Sequence, residues 1–509
     1  MYKRQTYNYL VNASEQSFFD KSLRKSLGKG VDEWIDIDSY DPSSFNISMF
    51  SPDELLNDGN ALVVYNGYSY DGTKLAGKPS FDLAALENFY KGTDANGNLA
   101  RIIPSFQPQY NSGFIQDKFE IKDMRFNVGV RVDRFNANQP VLRDKFLFYE
   151  AKTVADVTNL GTHPSNVPST AVVYVDDAKN PGSIAGYRDE NQWYNAQGTA
   201  ISDPKVITPS AGVIQPYLKY PNEKFLGSSK VDKVFDMYSA QNTFMPRIAF
   251  SFPISKEANF FAHYDVLTQR PPTALRFNPV SYLYIQNVGG IVNNPALRAE
   301  RTTDYELGFS QVLNEKKNAA ITLSAFYREM RDMIQQTILY GAYPINYTSY
   351  GNIDFGTVKG FTVAYDLRKT NNVQMTASYT LQFADGTGSA SNSAGGIIGV
   401  GQPNLRTTMP LDFDQRHAIV LNTDYRMGEG KDYKGPQAKW AKMLFENFGG
   451  NLVFRAGSGL PYTRQNNVTS GNGDNSSAVV FGINQRASMK GKLNGSNLPW
   501  QYRADLRLD

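Results

Sequence analysis

Residue types that could carry chemistry are sparse in this chain. Cysteine is absent from its 509 residues, which removes disulfides, thiolate metal sites and cysteine nucleophiles. The three histidines, His163, His263 and His417, stand far apart in sequence, and no pair has metal-ligand spacing. No nucleophile elbow marks a serine, so neither an enzyme nor a metal or other cofactor is expected. Asp94-Ala95-Asn96-Gly97-Asn98 opens like a calcium loop, but its glycine is misplaced and a turn is the better reading. Gly396 to Gly401 lacks the spacing of a dinucleotide-binding loop. What remains is recognition chemistry. Aromatic residues cluster in polar segments: Tyr65, Tyr68 and Tyr70; Trp193 and Tyr194; Tyr343, Tyr347 and Tyr350. Rings placed so can stack on a ligand or grip a sugar face, and they can equally pack loops together.

Such clusters need a frame, and alternation along the chain supplies one. In FIQDKFEIKDMRFNVGVRVDRF, residues 114 to 135, Met124, Phe126, Val128, Val130 and Val132 fall on one face of a strand. Arg125, Asn127, Gly129, Arg131 and Asp133 fall on the other. A turn at Lys122-Asp123 makes the segment a hairpin of residues 114–121 and 124–135. The pattern recurs at Ile248 to Phe252, Phe260 to Val266, Tyr305 to Phe309, Ile321 to Tyr327, Val363 to Leu367 and Val373 to Phe383, with Phe326 out of phase. Several of these strands reach about ten residues, enough for a tilted strand to cross a bilayer. Tight turns at 122–123, 255–257, 314–317 and 369–372 alternate with long segments at 13–111, 136–243, 270–300, 331–352, 385–412 and 463–498. Short periplasmic turns alternating with long extracellular loops predict an up-and-down membrane barrel. The fold class expected is therefore all-β: an antiparallel transmembrane β-barrel with apolar residues toward lipid and polar residues toward the lumen.

Composition agrees. Mean hydropathy is −0.44 and no apolar run is long enough for a transmembrane helix, but a barrel has no such run either. Tyrosine and phenylalanine number 31 each, as lipid-facing aromatic girdles would use. A formal net charge of +3 gives no case for nucleic acid as a partner. The first residues, MYKRQTYNYLVNAS, lack the apolar core of a signal peptide. The last, Gln501 to Asp509, read as a strand ending at an unpaired edge. On this reading the chain is a piece of a longer protein.

Four stretches carry a family resemblance. Gln116-Asp117-Lys118-Phe119 with Asn127-Val128-Gly129-Val130-Arg131-Val132-Asp133 is one. Pro246-Arg247-Ile248-Ala249-Phe250-Ser251 with Phe260-Phe261-Ala262-His263-Tyr264 is the second. The third is Asn294-Pro295-Ala296-Leu297-Arg298-Ala299-Glu300 with Tyr305-Glu306-Leu307-Gly308. The fourth is Ser458-Gly459-Leu460-Pro461-Tyr462-Thr463, preceded by Asp414-Gln415-Arg416-His417. In order and spacing over residues 111 to 509 they resemble TonB-dependent outer-membrane receptors of the Bacteroidetes type. The resemblance implies one domain over residues 1–509, part of a barrel of about 22 strands. Residues 13–111 and 136–243 would be long extracellular insertions. It implies location in the Gram-negative outer membrane, contact with outer-membrane lipid, and energised uptake of a scarce small ligand: siderophore, cobalamin, glycan or peptide. TonB would act through an N-terminal plug region not visible here, and a surface lipoprotein is a further partner consistent with the family. A passive porin or adhesin barrel without energy coupling is the alternative. Ligand contacts are expected at the eight aromatic residues above. Lumen- or plug-facing positions are expected at Arg125, Asn127, Arg131, Asp133, Thr376, Ser378 and Gln382. Pro295 and Glu300 are expected to shape a loop's return into a strand, with Glu300 pairing with Arg298 or Arg301. Short helices are expected at Ser51 to Leu56 and Ser80 to Glu87, and one small hairpin from Gly186 to Ala200.

Overall fold

The computed structural model describes residues 7–8, 16–61, 65–77, 79–207, 214–222, 231–287, 290–399, 406–464 and 490–509. Eleven long strands carry the architecture. They are β1 (Gln109–Ile121), β2 (Met124–Asn136), β3 (Gln241–Pro253), β4 (Ala258–Gln269), β5 (Glu300–Val312), β6 (Ala319–Leu339), β7 (Tyr347–Thr370), β8 (Val373–Gly386), β9 (His417–Arg426), β10 (Gly449–Gly457) and β11 (Gln501–Leu508). Each pairs antiparallel with its neighbours in sequence, and the two-residue strand Met409–Pro410 joins beside β8. The result is one meander, with β1 and β11 at its edges among the described residues.

Register carries the alternation sideways, so rows of like residues cross the sheet. Phe126 lies opposite Phe250, Phe250 opposite Ala262, Ala262 opposite Leu307, Leu307 opposite Ala325, and Ala325 opposite Phe361. Rings meet along these rows: Phe119–Phe126 at 5.1 Å, Phe126–Phe250 at 5.2 Å, and Tyr264–Tyr305 at 5.1 Å. Farther along, Tyr379, His417, Trp500 and Tyr502 form a third row, with centroids 6.0, 5.6 and 6.2 Å apart. This face is bare: Phe244, Leu307, Leu323 and Leu506 are exposed, Leu307 at 54%. In water so large an apolar surface would drive association, whereas lipid satisfies it.

The opposite face is charged. Asp304 lies opposite both Asp265 and Arg328. Arg328 donates to Asp304 at 2.9 Å and Arg247 to Asp265 at 2.8 Å, while His263 stands 3.6 Å from Glu306. Phe261 and Phe326 share this polar face, and each has a glycine opposite, Gly308 and Gly360. A Cβ on Gly308 would run into the Phe261 ring, so glycine makes the room for the ring. Phe326, out of phase in the sequence, packs here against Val358, Ala384 and Leu411.

Several expectations are corrected. The segment 331–352 is not a long loop: β6 and β7 run on through it, leaving 340–346 as the connection. The alternation breaks at Arg331-Asp332 because the register slips there, with Asp332 at φ +56°; a bulge absorbs the extra residue and the ladder resumes. Glu300 does not pair with an arginine. Its carboxylate accepts the Ile334 N–H at 2.8 Å, bracing that bulge, and Arg298 pairs instead with Asp332 at 2.9 Å. The alternation of short and long connections also fails once, because 427–448 is long yet lies at the short-turn end. β9 and β10 are strands that lie outside the alternating stretches of the sequence. Gly186 to Ala200 belongs to three strands rather than one hairpin: Ile184–Asp189, Gln192–Asn195 and Ala200–Ile201. Ser51 caps Pro52–Leu55 as expected, in a capping box with Glu54, and the second expected helix runs from Leu83 to Lys91, capped by Asp82, later than the expected 80–87. Asp94 folds as a turn, its carboxylate accepting the Asn96 and Asn98 N–H groups. Gly395–Gly399 is a short helix, and positions 400 and 401 lie outside the described residues, as does most of 463–498.

A candidate ligand chamber among the outer loops

At the long-connection end the segments do not stand apart. Phe81 and Phe89 from the chain before β1, Phe148, Tyr174, Trp193 and Phe235 from the β2–β3 connection, Phe277 and Tyr282 from the β4–β5 connection, and Leu339 and Tyr347 from the β6–β7 tip share one core. Phe277 stacks on Tyr282 at 5.0 Å and meets Phe81 and Phe235 edge-on, each at 5.6 Å. Phe148 meets Tyr347 at 5.7 Å. These four segments therefore form a single packed body. A five-stranded sheet of its own, Gln215–Pro216, Val172–Val175, Ile184–Asp189, Gln192–Asn195 and Ala200–Ile201, stiffens one side.

Within this body lies a chamber of about 1070 Å³, lined by Phe146, Trp193, Tyr282, Tyr340, Tyr347 and Tyr350 together with charged groups of both signs. That volume suits a ligand of several rings or residues. Its charged wall is built around Arg188. The guanidinium is buried, pairs with Asp144, donates to the Tyr174 hydroxyl at 3.2 Å, and lies 4.7 Å from the Phe146 ring centre. Burial works against the Arg188 charge, but Tyr174 and Asp144 outweigh it and hold its pKa above the ordinary value. Burial pushes the Tyr174 hydroxyl up to about 12. Lys145 is shifted the other way, lowered chiefly by burial, with Asp144 opposing. A smaller hollow of about 640 Å³ adjoins the chamber through Ile353 and Arg406 and is lined by Arg301, Glu329, Arg331 and Asp354.

The structure brings three of the eight predicted aromatics to the chamber wall: Trp193, Tyr347 and Tyr350. Trp193 and Tyr347 are themselves buried, with Tyr347 donating its hydroxyl to the Lys145 carbonyl at 2.6 Å. Tyr350 is only half-buried in that wall. Tyr65 donates to the Arg101 carbonyl at 3.2 Å and packs on the loop core. Tyr68 is exposed and bridges to Lys74, and Tyr70 sits in the turn beside it. Tyr194 pairs with Tyr187 and packs on a second, smaller core, and Tyr343 meets Tyr149 edge-on at 5.4 Å. Sequence reading passed over Arg188 and Asp144. Nothing local flags them, because the pairing joins residues 44 positions apart.

The seven predicted polar positions lie on strands of the main sheet. Arg131 donates to Asp133 at 2.8 Å and to the Tyr110 hydroxyl at 2.9 Å, Asn127 accepts from Gln116, and Arg125 stands 3.5 Å from Glu120. Gln382 donates to the Phe413 carbonyl at 3.5 Å. Thr376 lies opposite Asp366 and Asn422, and Ser378 opposite Ala364 and Val420.

Among solved structures the chain is similar to the FrpB iron transporter of Neisseria meningitidis at 9% identity and a TM-score of 0.37, over 79% of this chain and 38% of that one. It is also similar to the outer membrane transporter YddB of Escherichia coli, at 10% identity and a TM-score of 0.37, over 81% of this chain and 49% of that one. The hemophore receptor HasR of Serratia marcescens gives 11% identity and a TM-score of 0.36, over 71% and 47%. The chain thus spans under half the length of these proteins. No curated protein matched. Residues 2–507 match the family described as TonB dependent receptor-like, beta-barrel, and the chain belongs to that family of Gram-negative outer-membrane proteins.

Proposed function

We propose that this chain supplies the membrane wall and the ligand-admitting loops of a receptor that imports a scarce ligand, with energy delivered by TonB through a plug region. One observation carries the reading. A chamber of about 1070 Å³ is held by loops that share a core, above a sheet with one lipid-compatible face. Loops fixed on a rigid scaffold are where selectivity usually resides. Arg143, Lys145, Arg188 and Arg406 in its wall are matched by Asp144, Asp189, Glu190 and Asp203. A wall of balanced charge and many rings favours a glycan or peptide over a strongly anionic iron chelate. A surface lipoprotein partner belongs with the same reading.

The test is uptake of fluorescent oligosaccharides and oligopeptides by cells expressing the full-length receptor, with and without TonB. Uptake that needs TonB, with surface binding retained in its absence, supports energised import. Uptake that simply follows the concentration gradient overturns it in favour of a passive pore.

A further inference from the structure

The connection 427–448 breaks the economy of its end of the sheet. Its neighbours there are the turns at 122–123, 254–257, 313–318 and 371–372. It starts at that same end, since the Arg426 N–H donates to the Asn372 carbonyl at 2.9 Å, beside the β7–β8 turn. Within it lies a helix, Lys439–Phe445, whose one buried residue is Ala441. Trp440, Met443 and Leu444 stand 70%, 86% and 62% exposed. Their i, i+3, i+4 spacing puts them on one stripe of the helix. Ala438 offers no side-chain cap, and seven residues are too few for a stable helix in water.

The geometry points to a helix that lies in the headgroup–acyl boundary of the periplasmic, phospholipid leaflet. We infer that Trp440, Met443 and Leu444 enter that boundary while Lys439 and Lys442 stay at the headgroups. Two observations select this occupant. First, the helix joins β9 and β10, and the bare apolar face reaches this end of the sheet: Tyr425 is the next-to-last residue of β9, Leu508 closes β11 beside β10, and both are exposed. The helix is therefore tethered on both sides to strands whose apolar face extends to this end. Second, tryptophan and lysine flanking an apolar stripe are the residues that anchor at membrane interfaces. Lys431, Lys434, Lys439 and Lys442 lie in the connection. Of its acids, Glu446 is engaged by the Gly430 N–H at 2.6 Å and stands 3.8 Å from Lys442. The inference rests on the barrel reading, with short turns toward the periplasm.

The experiment uses nitroxide labels on the full-length receptor in phosphatidylethanolamine–phosphatidylglycerol bilayers. The 509 residues contain no cysteine, so Met443→Cys, Lys431→Cys and Leu307→Cys each add one labelling site to this chain. The label at 443 should collide with oxygen several-fold more often than with a water-soluble nickel chelate, as the label at 307 does. The label at 431 should show the reverse preference. A label at 443 open to nickel puts the helix in water and overturns the proposal. A label shielded from both probes shows a protein partner over the stripe, which overturns it equally. If the label at 307 fails to report lipid, the barrel reading itself has failed. Trp440→Ser with Leu444→Ser should move the 443 label toward nickel accessibility, with the heat-resistant barrel band retained on gels.

Discussion

Trp193 offers the sharpest separation between a residue that builds the chamber and one that meets its contents. Its side chain is 4% exposed, 5.5 Å from the Phe146 ring and 4.8 Å from the Tyr174 ring, and it closes against Gly341, where a Cβ would collide with the indole. Replacing a buried Trp by Ala costs about 3–5 kcal/mol. The two ring contacts account for about 1–3 kcal/mol of that. A loss of 3 kcal/mol raises the population of the opened loop body by about a hundredfold. Trp193→Ala should therefore lose ligand binding through loosening, not through a missing contact. Tyr350→Ala removes a half-buried ring from the wall and should weaken binding with the body intact. Hydrogen exchange on the full-length receptor in nanodiscs reads the difference. Amides of 142–149, 172–175 and 184–195 should exchange faster in Trp193→Ala, stay close to wild type in Tyr350→Ala, and recover in Trp193→Phe. If Trp193→Ala abolishes binding while those amides stay protected, the indole touches ligand directly and the packing argument is wrong.

On the bare face, Leu307→Arg should destabilise the assembled barrel by about 2–4 kcal/mol if it lies near the bilayer midplane, read as a lower urea midpoint in liposomes; an unchanged midpoint would mean that this face does not meet lipid. In the loop body, the Tyr174 hydroxyl is held at about 12 against an ordinary 10. Its folded pKa is raised, so its contribution is complete below pH 10 and is lost as pH climbs through 12. That amounts to about 3 kcal/mol. Tyr174→Phe should flatten the loss of near-ultraviolet dichroism between pH 10 and 12, and an identical profile would refute the assignment.

The sheet was legible in the sequence because each strand crosses a slab with two different sides, and period two records that directly. Met124 to Val132 and Val373 to Phe383 show it without interruption. Legibility failed where alternation is broken or brief. The bulge at Asp332 hid the outer reach of β6 and β7, and β9 is a strand in which Val420 joins the polar face. The chamber was legible only as a set of aromatic clusters. Which rings point inward depends on pairings such as Arg188 with Asp144, or Phe148 with Tyr347, that join segments far apart in sequence. The lone glycines facing Phe261 and Phe326 were equally silent, since neither sequence neighbourhood records the ring opposite.

The shared core of the outer loops limits how a ligand can enter. Phe277 touches Phe81 and Phe235, so the segment before β1 and the β2–β3 and β4–β5 connections cannot swing outward singly without tearing rings from one another. Opening one loop at a time is therefore costly, and admission has to proceed by the whole body tilting on its strands or through a mouth that is already there. The same interlock constrains descent. A change of ligand taste by exchange of one loop would leave a hole in the common core, so new specificities should arise by small edits at half-buried wall positions such as Tyr350, with the interlocked rings inherited as a set.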